Sequence, residues 1–506
     1  MATFQIYNFG CRASQADGAG LKRQLLQAGL QEVASPEESS VAVLNTCTVT
    51  ASADAEVRQF VRRIHRRNPQ CRILVTGCYA QRAPEEIARL EGVAWVVGNS
   101  HKHLVSSLLA AADPADSAVQ AMPASPEPAQ GIIPGAASGQ PAATPLVQLQ
   151  TNNAGNTRQA DGGTLSGAGF HSSGQLAVPS PGSFEAGFRT RDALVLVGGI
   201  TEEFHFAPVF ADDRTRPTLK IQDGCDARCS FCVIPSVRGP SRSLPPGQVV
   251  DQIRQLVDGG FHEVVLSGIN LGGYGRDLGR EVNFLAMVKR ILTETTVARI
   301  RISSIEPMDV NSALIELVSS EHRMARHFHV PLQSGSDRIL RLMNRRYWTR
   351  QYAERILAIR ERIPNAAIGA DVMVGFPGET AQDHAASLRF IESLPFTYLH
   401  LFPFSARPGT PASSAAAQVN GRVARDRSQE IRAVLVAKRQ RFLAAQVGQT
   451  LPALTLNETE DGARIALTTN YLNVTLPAVD VAPNRLVDVR VARAVSGKLF
   501  GYVTSS

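Results

Sequence analysis

Apolar and polar positions alternate between two periods along the first part of the chain. Short apolar runs at Phe4–Phe9, Val41–Asn45, Ile73–Thr76 and Val93–Val97 read as strands. Between them, Leu21–Leu30, Ala53–Arg67 and Pro84–Leu90 carry apolar residues at helical spacing. Strands alternating with helices point to a parallel sheet covered by helices, so residues 1–112 are expected to form an open parallel α/β sheet domain. Over residues 113–210 the periodicity fades. Pro123-Ala124-Ser125-Pro126-Glu127-Pro128 and the Ala-, Gly-, Ser- and Gln-rich sequence beyond it offer too little apolar surface to offset ordering entropy. A mobile insertion is expected there, with short strands at Leu194–Val197 and Glu203–Val209 leading into the next domain.

The alternation resumes over residues 211–440. Strands are expected at Leu219–Gln222, Glu263–Ser267, Arg299–Ser303, Phe328–Pro331, Ile368–Val374 and Tyr398–Phe404. Helices are expected at Pro246–Val257, Phe284–Leu292, Asp337–Leu342, Tyr352–Arg362 and Ala381–Ser393. Six such units in series fit a partial (β/α)6 barrel. A long charged helix over Arg422–Ala445 follows, and residues 441–506 change to period-two patterning with five short strands, as in a small β-barrel. The fold class is therefore α/β with a small all-β domain at the carboxyl end.

At 506 residues the chain is too long for one core. Its 44% apolar and 19% charged residues are those of a soluble globular protein. No run approaches the ~18 apolar residues of a membrane span. Met1–Cys11 lacks the basic region and apolar core of a secretory signal, so a cytoplasmic location without a membrane partner is expected. A net charge of +7 permits a polyanionic partner without requiring one. The strand-rich end adds nothing here: Arg464, Arg485, Arg490, Arg493 and Lys498 balance Glu458, Glu460, Asp461, Asp480 and Asp488.

The cysteines change the picture most. Cys225, Cys229 and Cys232 stand at C-x3-C-x2-C spacing directly after the first barrel strand. Structural zinc wants four ligands, usually two C-x2-C pairs, and the bacterial ferredoxin run has four cysteines at other spacings. Disulfides are rare in a reducing cytosol. Three thiolates on one loop suit a cubane iron–sulfur cluster with one iron left open for a ligand. Cys11, Cys47 and Cys78 each follow a strand of the first sheet, where loops at the carboxyl ends build the binding crevice. They form a second candidate three-thiolate site, the alternative being three separate buried cysteines. Cys71 precedes its strand and reads as structural. Polar or Gly-rich segments follow the other barrel strands, at Ser267–Asn270, Ser303–Glu306, Gln333–Ser336, Gly375–Glu379 and Phe404–Thr410, where barrels carry their chemistry. Arg58, Arg62 and Arg66 share one helix face, beside Arg63 and Arg67; this is a ridge for phosphates or an ordinary solvated face.

The C-x3-C-x2-C loop resembles that of the radical S-adenosylmethionine (SAM) enzymes, and Cys11, Cys47 and Cys78 resemble the amino-terminal site of the methylthiotransferases among them. The β-rich end is similar to their TRAM module. Four segments (Lys220–Asp226, Ser267–Gly272, Arg301–Pro307 and Leu332–Asp337) resemble the branch that acts on N6-threonylcarbamoyladenosine at position 37 of tRNA, more than those acting on isopentenyladenosine or a ribosomal protein. Trp348, the Arg12-Ala13-Ser14-Gln15 segment and the insertion depart from the usual pattern.

The resemblance implies two 4Fe-4S clusters. The one on Cys225, Cys229 and Cys232 would bind SAM and cleave it reductively to a 5′-deoxyadenosyl radical. The one on Cys11, Cys47 and Cys78 would present sulfur, methylated by a second SAM. Phe231, Ser267, Glu306, Gln333 and Asp371 are the candidate SAM contacts. The implied partners are the anticodon stem-loop of tRNA, an electron donor and a sulfur source. A non-enzymatic iron–sulfur RNA-binding redox sensor is the rival from another class. It leaves the strand-end motifs of the barrel unexplained.

Overall fold

The computed structural model describes residues 2–35, 38–111, 187–190, 193–200, 215–477 and 481–505. The first sheet is built from β1 (Thr3–Asn8), β2 (Gln31–Glu32), β3 (Val41–Thr46), β4 (Arg72–Gly77), β5 (Val93–Val97), β6 (Gly187–Arg189) and β7 (Leu194–Leu196). Its order is β2-β1-β3-β4-β5-β7-β6, parallel except between β6 and β7. Central β3 is buried at every position, which is why it reads as one continuous apolar run rather than an alternating one. The strand expected at Leu194–Val197 does form. It pairs in parallel with β5 and extends the first sheet instead of leading into the barrel. The strand expected at Glu203–Val209 and the insertion up to residue 186 lie outside the described residues.

The register of the first sheet fixes where its cysteines fall. Asn8 pairs with Asn45, and Asn45 with Thr76, across three neighbouring strands. The residues that follow therefore leave the sheet at one edge, within a few positions of one another. The helix expected from Leu21 begins earlier, at Arg12, and ends at Gln27, ahead of Gly29 with its left-handed φ of 84°.

The central domain has six parallel strands: β8 (Thr218–Asp223), β10 (Glu263–Gly268), β11 (Arg299–Ile302), β12 (His327–His329), β13 (Ala367–Val374) and β14 (Tyr398–Pro403), with β9 (Arg242–Ser243) antiparallel on the edge of β8. They form two hydrogen-bonded pieces, β11-β10-β8-β9 and β12-β13-β14. A single bridge from Ile300 to Met324 and the bond from Ile305 N to His329 O link the two. The result is an open partial barrel with one continuous apolar core. The strand expected at Phe328–Pro331 starts one residue earlier and stops at His329, ahead of Pro331, which has no N–H to offer a ladder.

The helix Gly421–Ala444 packs along β14. It leads into a closed barrel of β15 (Thr450–Glu460), β16 (Ala463–Thr468), β17 (Asn473–Leu476), β18 (Leu486–Val495) and β19 (Lys498–Ser505), ordered β15-β16-β17-β19-β18. Alternating residues such as Val487, Val489 and Val491 fill its interior. Among the described residues no helix is long and apolar enough to cross a membrane.

Candidate active site

Glycine prepares both cysteine sets. Gly10, just before Cys11, has φ 102°, and a Cβ there would stand 2.3 Å from Cys47 Cβ and 2.8 Å from Cys47 Sγ. Only glycine lets the chain pass this close to Cys47. Gly224, before Cys225, has φ 70°, and a Cβ would meet Pro240 O at 1.8 Å. The structure brings Cys11, Cys47 and Cys78 together: burial, then the neighbouring Cys11 and Cys78, push the Cys47 thiol up to about 12. On the barrel loop, burial foremost and then Cys229 and Cys225 push Cys232 up to about 12 as well. Thiolates this crowded repel one another unless they share a cation, so each set has the donor chemistry that an iron–sulfur cluster needs. Cys71 is buried instead against Ser39, with Sγ 3.5 Å from Oγ.

An arginine serves one thiol of each set. Arg238, on the short helix that follows the cysteine loop, donates from Nε to Cys78 Sγ at 3.2 Å. Arg345 donates from Nη1 to Cys229 Sγ at 3.3 Å and pairs with Glu306. Arg238 also belongs to a buried network that ties the first sheet domain to the barrel. Its Nη1 lies 2.9 Å from both Asp223 oxygens and its Nη2 3.0 Å from Asp17 Oδ2. Lys220 contacts the same two carboxylates, and Lys102 reaches Asp17 at 3.1 Å. Burial would raise the pKa of Asp17, but Lys102, Lys220 and Arg238 outweigh it and hold the group far below the usual carboxylate range. A second bridge joins Arg407 and Arg82 to Asp54 and Thr48.

A cavity of 900 Å³ opens where the three parts meet. Cys11 and Arg12 line it from the first domain, Ser267, His329 and Asp371 from the barrel, and Tyr471 from the terminal barrel. His327 and His329 alternate along β12 and so share a face; both reach Tyr398 Oη, at 2.7 and 3.0 Å. Asp371 accepts from His329 Nε2 at 3.1 Å and His400 Nδ1 at 3.2 Å. Burial opposes its ionisation, yet these two histidines hold its pKa below the usual range.

The predicted SAM contacts divide. Ser267 and Asp371 face this cavity, whereas Glu306, Gln333 and Phe231 do not line it. Glu306 sits against Arg345 beside Cys229; burial lifts its pKa, and Arg345 offsets only part of that. Gln333 is buried at φ 65°, with its Oε1 unpartnered. Phe231 packs edge-on against Phe376, their centroids 6.5 Å apart. The basic ridge is broken up, because Arg58 donates to Glu86 and Tyr79 at 2.8 and 2.7 Å while Arg62, Arg63 and Arg66 stay exposed. Sequence reasoning gave no role to Arg12, Arg216, Arg238, His327, His329, Arg345 or Tyr471; of these only the two histidines, alternating along β12, carried a readable signal.

Comparison with known proteins identifies the family. The family described as "Uncharacterized protein family UPF0004" matches residues 3–98, and the radical SAM superfamily matches residues 219–391. The threonylcarbamoyladenosine tRNA methylthiotransferase MtaB of Aquifex aeolicus (strain VF5) is 32% identical over 92% of this chain and 94% of its own length. The protein of the same name from Bacillus subtilis (strain 168) is 31% identical over 98% and 94%. The tRNA-2-methylthio-N(6)-dimethylallyladenosine synthase of Desulforamulus reducens (strain ATCC BAA-1160 / DSM 100696 / MI-1) is 27% identical over 99% and 95%. Among solved structures, the radical SAM methyltransferase TsrM of Kitasatospora setae superposes with a TM-score of 0.51 at 14% identity, covering 82% of this chain and 75% of that one. At that identity the likeness shows the fold alone. The chain belongs to the radical SAM methylthiotransferase family, enzymes that use SAM and 4Fe-4S clusters.

Proposed function

We propose that this chain transfers a methylthio group to C2 of N6-threonylcarbamoyladenosine at position 37 of tRNA. One observation carries the reading: the cavity has Cys11 on one wall, strand-end residues of the SAM-type barrel on another, and the guanidinium groups of Arg12 and Arg216 beside them. A flipped base there would stand beside Cys11. Charged lining suits an adenine whose N6 substituent carries a carboxylate better than one with an apolar dimethylallyl group. The names of the Aquifex and Bacillus relatives point the same way.

Cys225, Cys229 and Cys232 would hold the SAM-binding cluster, and Cys11, Cys47 and Cys78 the second one. When bound, these groups supply the one-electron chemistry that an unactivated aromatic C–H requires. The protein's own part is orientation. Arg238 and Arg345 place donors on Cys78 and Cys229. The Asp17–Lys220–Asp223–Arg238 network locks the sheet domain onto the barrel, fixing the span between the two sets. Ser267 and Asp371 face the cavity, Phe231 and Glu306 stand at the cysteine loop, and Gln333 completes the proposed SAM contacts. The substrate enters as the anticodon stem-loop with one base splayed out. Electrons and sulfur come from an external reductant and a sulfur source. Mass spectrometry of tRNA nucleosides from a strain lacking this gene and any paralogue tests the assignment. Loss of 2-methylthio-N6-threonylcarbamoyladenosine is expected, and its persistence would overturn the reading.

A further inference from the structure

Three arginines gather around one carboxylate beside the cavity. Glu263, fully buried at the start of β10, accepts from Arg301 Nε at 2.7 Å and faces Arg299 Nη1 at 3.4 Å and Arg216 Nη1 at 3.6 Å. These cations hold Glu263 at about 2 against the upward push of burial. Arg301 is further occupied by the carbonyls of Thr468 and Thr469, at 3.1 and 3.2 Å. Arg299 and Arg301 are thus engaged away from the cavity, which they do not line.

Arg12 and Arg216 do line it. Arg12 Nη2 donates to Tyr471 Oη at 2.9 Å, and its Nη1 is buried without a partner. No described carboxylate pairs with Arg12. Among the described residues Arg216 has only the longest of the Glu263 contacts, and burial lowers its pKa, with Arg301 and Arg12 adding to the effect against the pull of Glu263. The other acids facing the cavity do not neutralise this pair: Asp371 is taken by His329 and His400, and Glu458 is exposed. Among the described residues the wall around Tyr471 therefore carries more positive than negative charge, and that arrangement is stabilised by an incoming anion.

We propose that Arg12 and Arg216 bind the carboxylate of the threonyl group on the target adenine, so that this pair selects a base with an acidic N6 substituent over one with an uncharged substituent. The assignment rests on the substrate reading above. Planar guanidinium donors match a carboxylate, and Arg12 directly follows Cys11, which places the reader of the substituent beside the second cysteine set. A backbone phosphate could engage the same donors, and the test separates the two.

Binding of three anticodon stem-loops to the anaerobically reconstituted holoenzyme is measured by fluorescence anisotropy: one with threonylcarbamoyladenosine at position 37, one with its carboxyl converted to the amide, and one with plain adenosine. The wild type should prefer the carboxylate form over the amide by about tenfold or more. Arg12→Gln and Arg216→Gln should each bring that ratio towards one, and Arg12→Lys should restore part of it. Retention of the full ratio in both Gln variants overturns the assignment alone. Equal weakening of all three RNAs, with a shallower salt dependence, identifies a phosphate contact and also overturns it. A wild type that does not distinguish the carboxylate form from plain adenosine overturns the substrate reading and the assignment with it. Cluster absorbance and thermal midpoint report that each variant is folded and loaded.

Discussion

Replacing Arg238 by Gln tests the joint between the two cysteine-bearing domains. Arg238 is 3% exposed and donates to Asp17, to both oxygens of Asp223 and to Cys78 Sγ. Removing one partner of a buried ion pair costs about 3–5 kcal/mol, because the remaining charge stays buried. Lys220 still touches both carboxylates and Lys102 still touches Asp17, so the low end, about 3 kcal/mol, applies here. At about 2.1 cal/mol/K per residue the unfolding entropy of 506 residues is about 1 kcal/mol/K, so the thermal midpoint should fall by about 3 °C. The sign of the pH dependence follows from the two acids, whose folded pKa values both lie below the ordinary one. Their contribution is present above the unfolded pKa and is lost as pH falls through the folded value. The gap between wild type and variant should therefore be constant from about pH 8 to 5 and narrow only below about pH 4. Anaerobic thermal denaturation followed by circular dichroism measures it. A fall of less than about 2 °C at pH 7, or a gap that widens towards acid, would refute the network as the joint.

Arg345→Met removes a cation and a hydrogen bond from Cys229, so the midpoint potential of the cluster on that loop should become more negative; redox titration followed by electron paramagnetic resonance should show it, and an unchanged potential contradicts the contact. Cys47→Ala should abolish methylthio transfer while leaving reductive SAM cleavage, measured as 5′-deoxyadenosine; loss of both activities would mean that the first domain is needed to keep the barrel intact. Buried His327, with Arg301 and Arg12 nearby, has a pKa well below the ordinary 6.5. The unfolded chain binds its proton first, so stability should fall as pH drops below about 6.5, by at most about 1.4 kcal/mol per pH unit from this group. His327→Gln should lack that slope, and a wild type equally stable at pH 7.5 and 5.5 would contradict it.

Much of the architecture was legible because period and punctuation agree. The strand–helix alternation, the spacing of Cys225, Cys229 and Cys232, and the placement of Cys11, Cys47 and Cys78 after strands are all local signals. The attachment of Leu194–Leu196 to β5 was not legible, because a three-residue strand carries no mark of its partner. The regular i, i+4 spacing of Arg58, Arg62 and Arg66 left a phosphate ridge and a solvated face both open for a related reason: spacing defines a face but not what packs on it, and Glu86 takes Arg58 while Arg62 and Arg66 stay exposed. Residues that act across domain boundaries were the least readable. Arg12 meets Tyr471, and Arg238 meets Cys78 and Asp17, through long-range packing that no sequence window contains. The five proposed SAM contacts were chosen by strand-end position, which explains why only Ser267 and Asp371 share a cavity: neighbouring loops on one rim can face different spaces.

Methylthio transfer to a threonylcarbamoylated adenine can be measured directly. The most direct measurement incubates the anaerobically reconstituted protein with SAM, a reductant, a sulfide source and tRNA bearing N6-threonylcarbamoyladenosine or isopentenyladenosine at position 37, then digests the tRNA for nucleoside mass spectrometry. SCH3 should replace the C2 hydrogen on the threonylcarbamoyl nucleoside. Product on the isopentenyl nucleoside instead, or SAM cleavage with neither nucleoside altered, would contradict it.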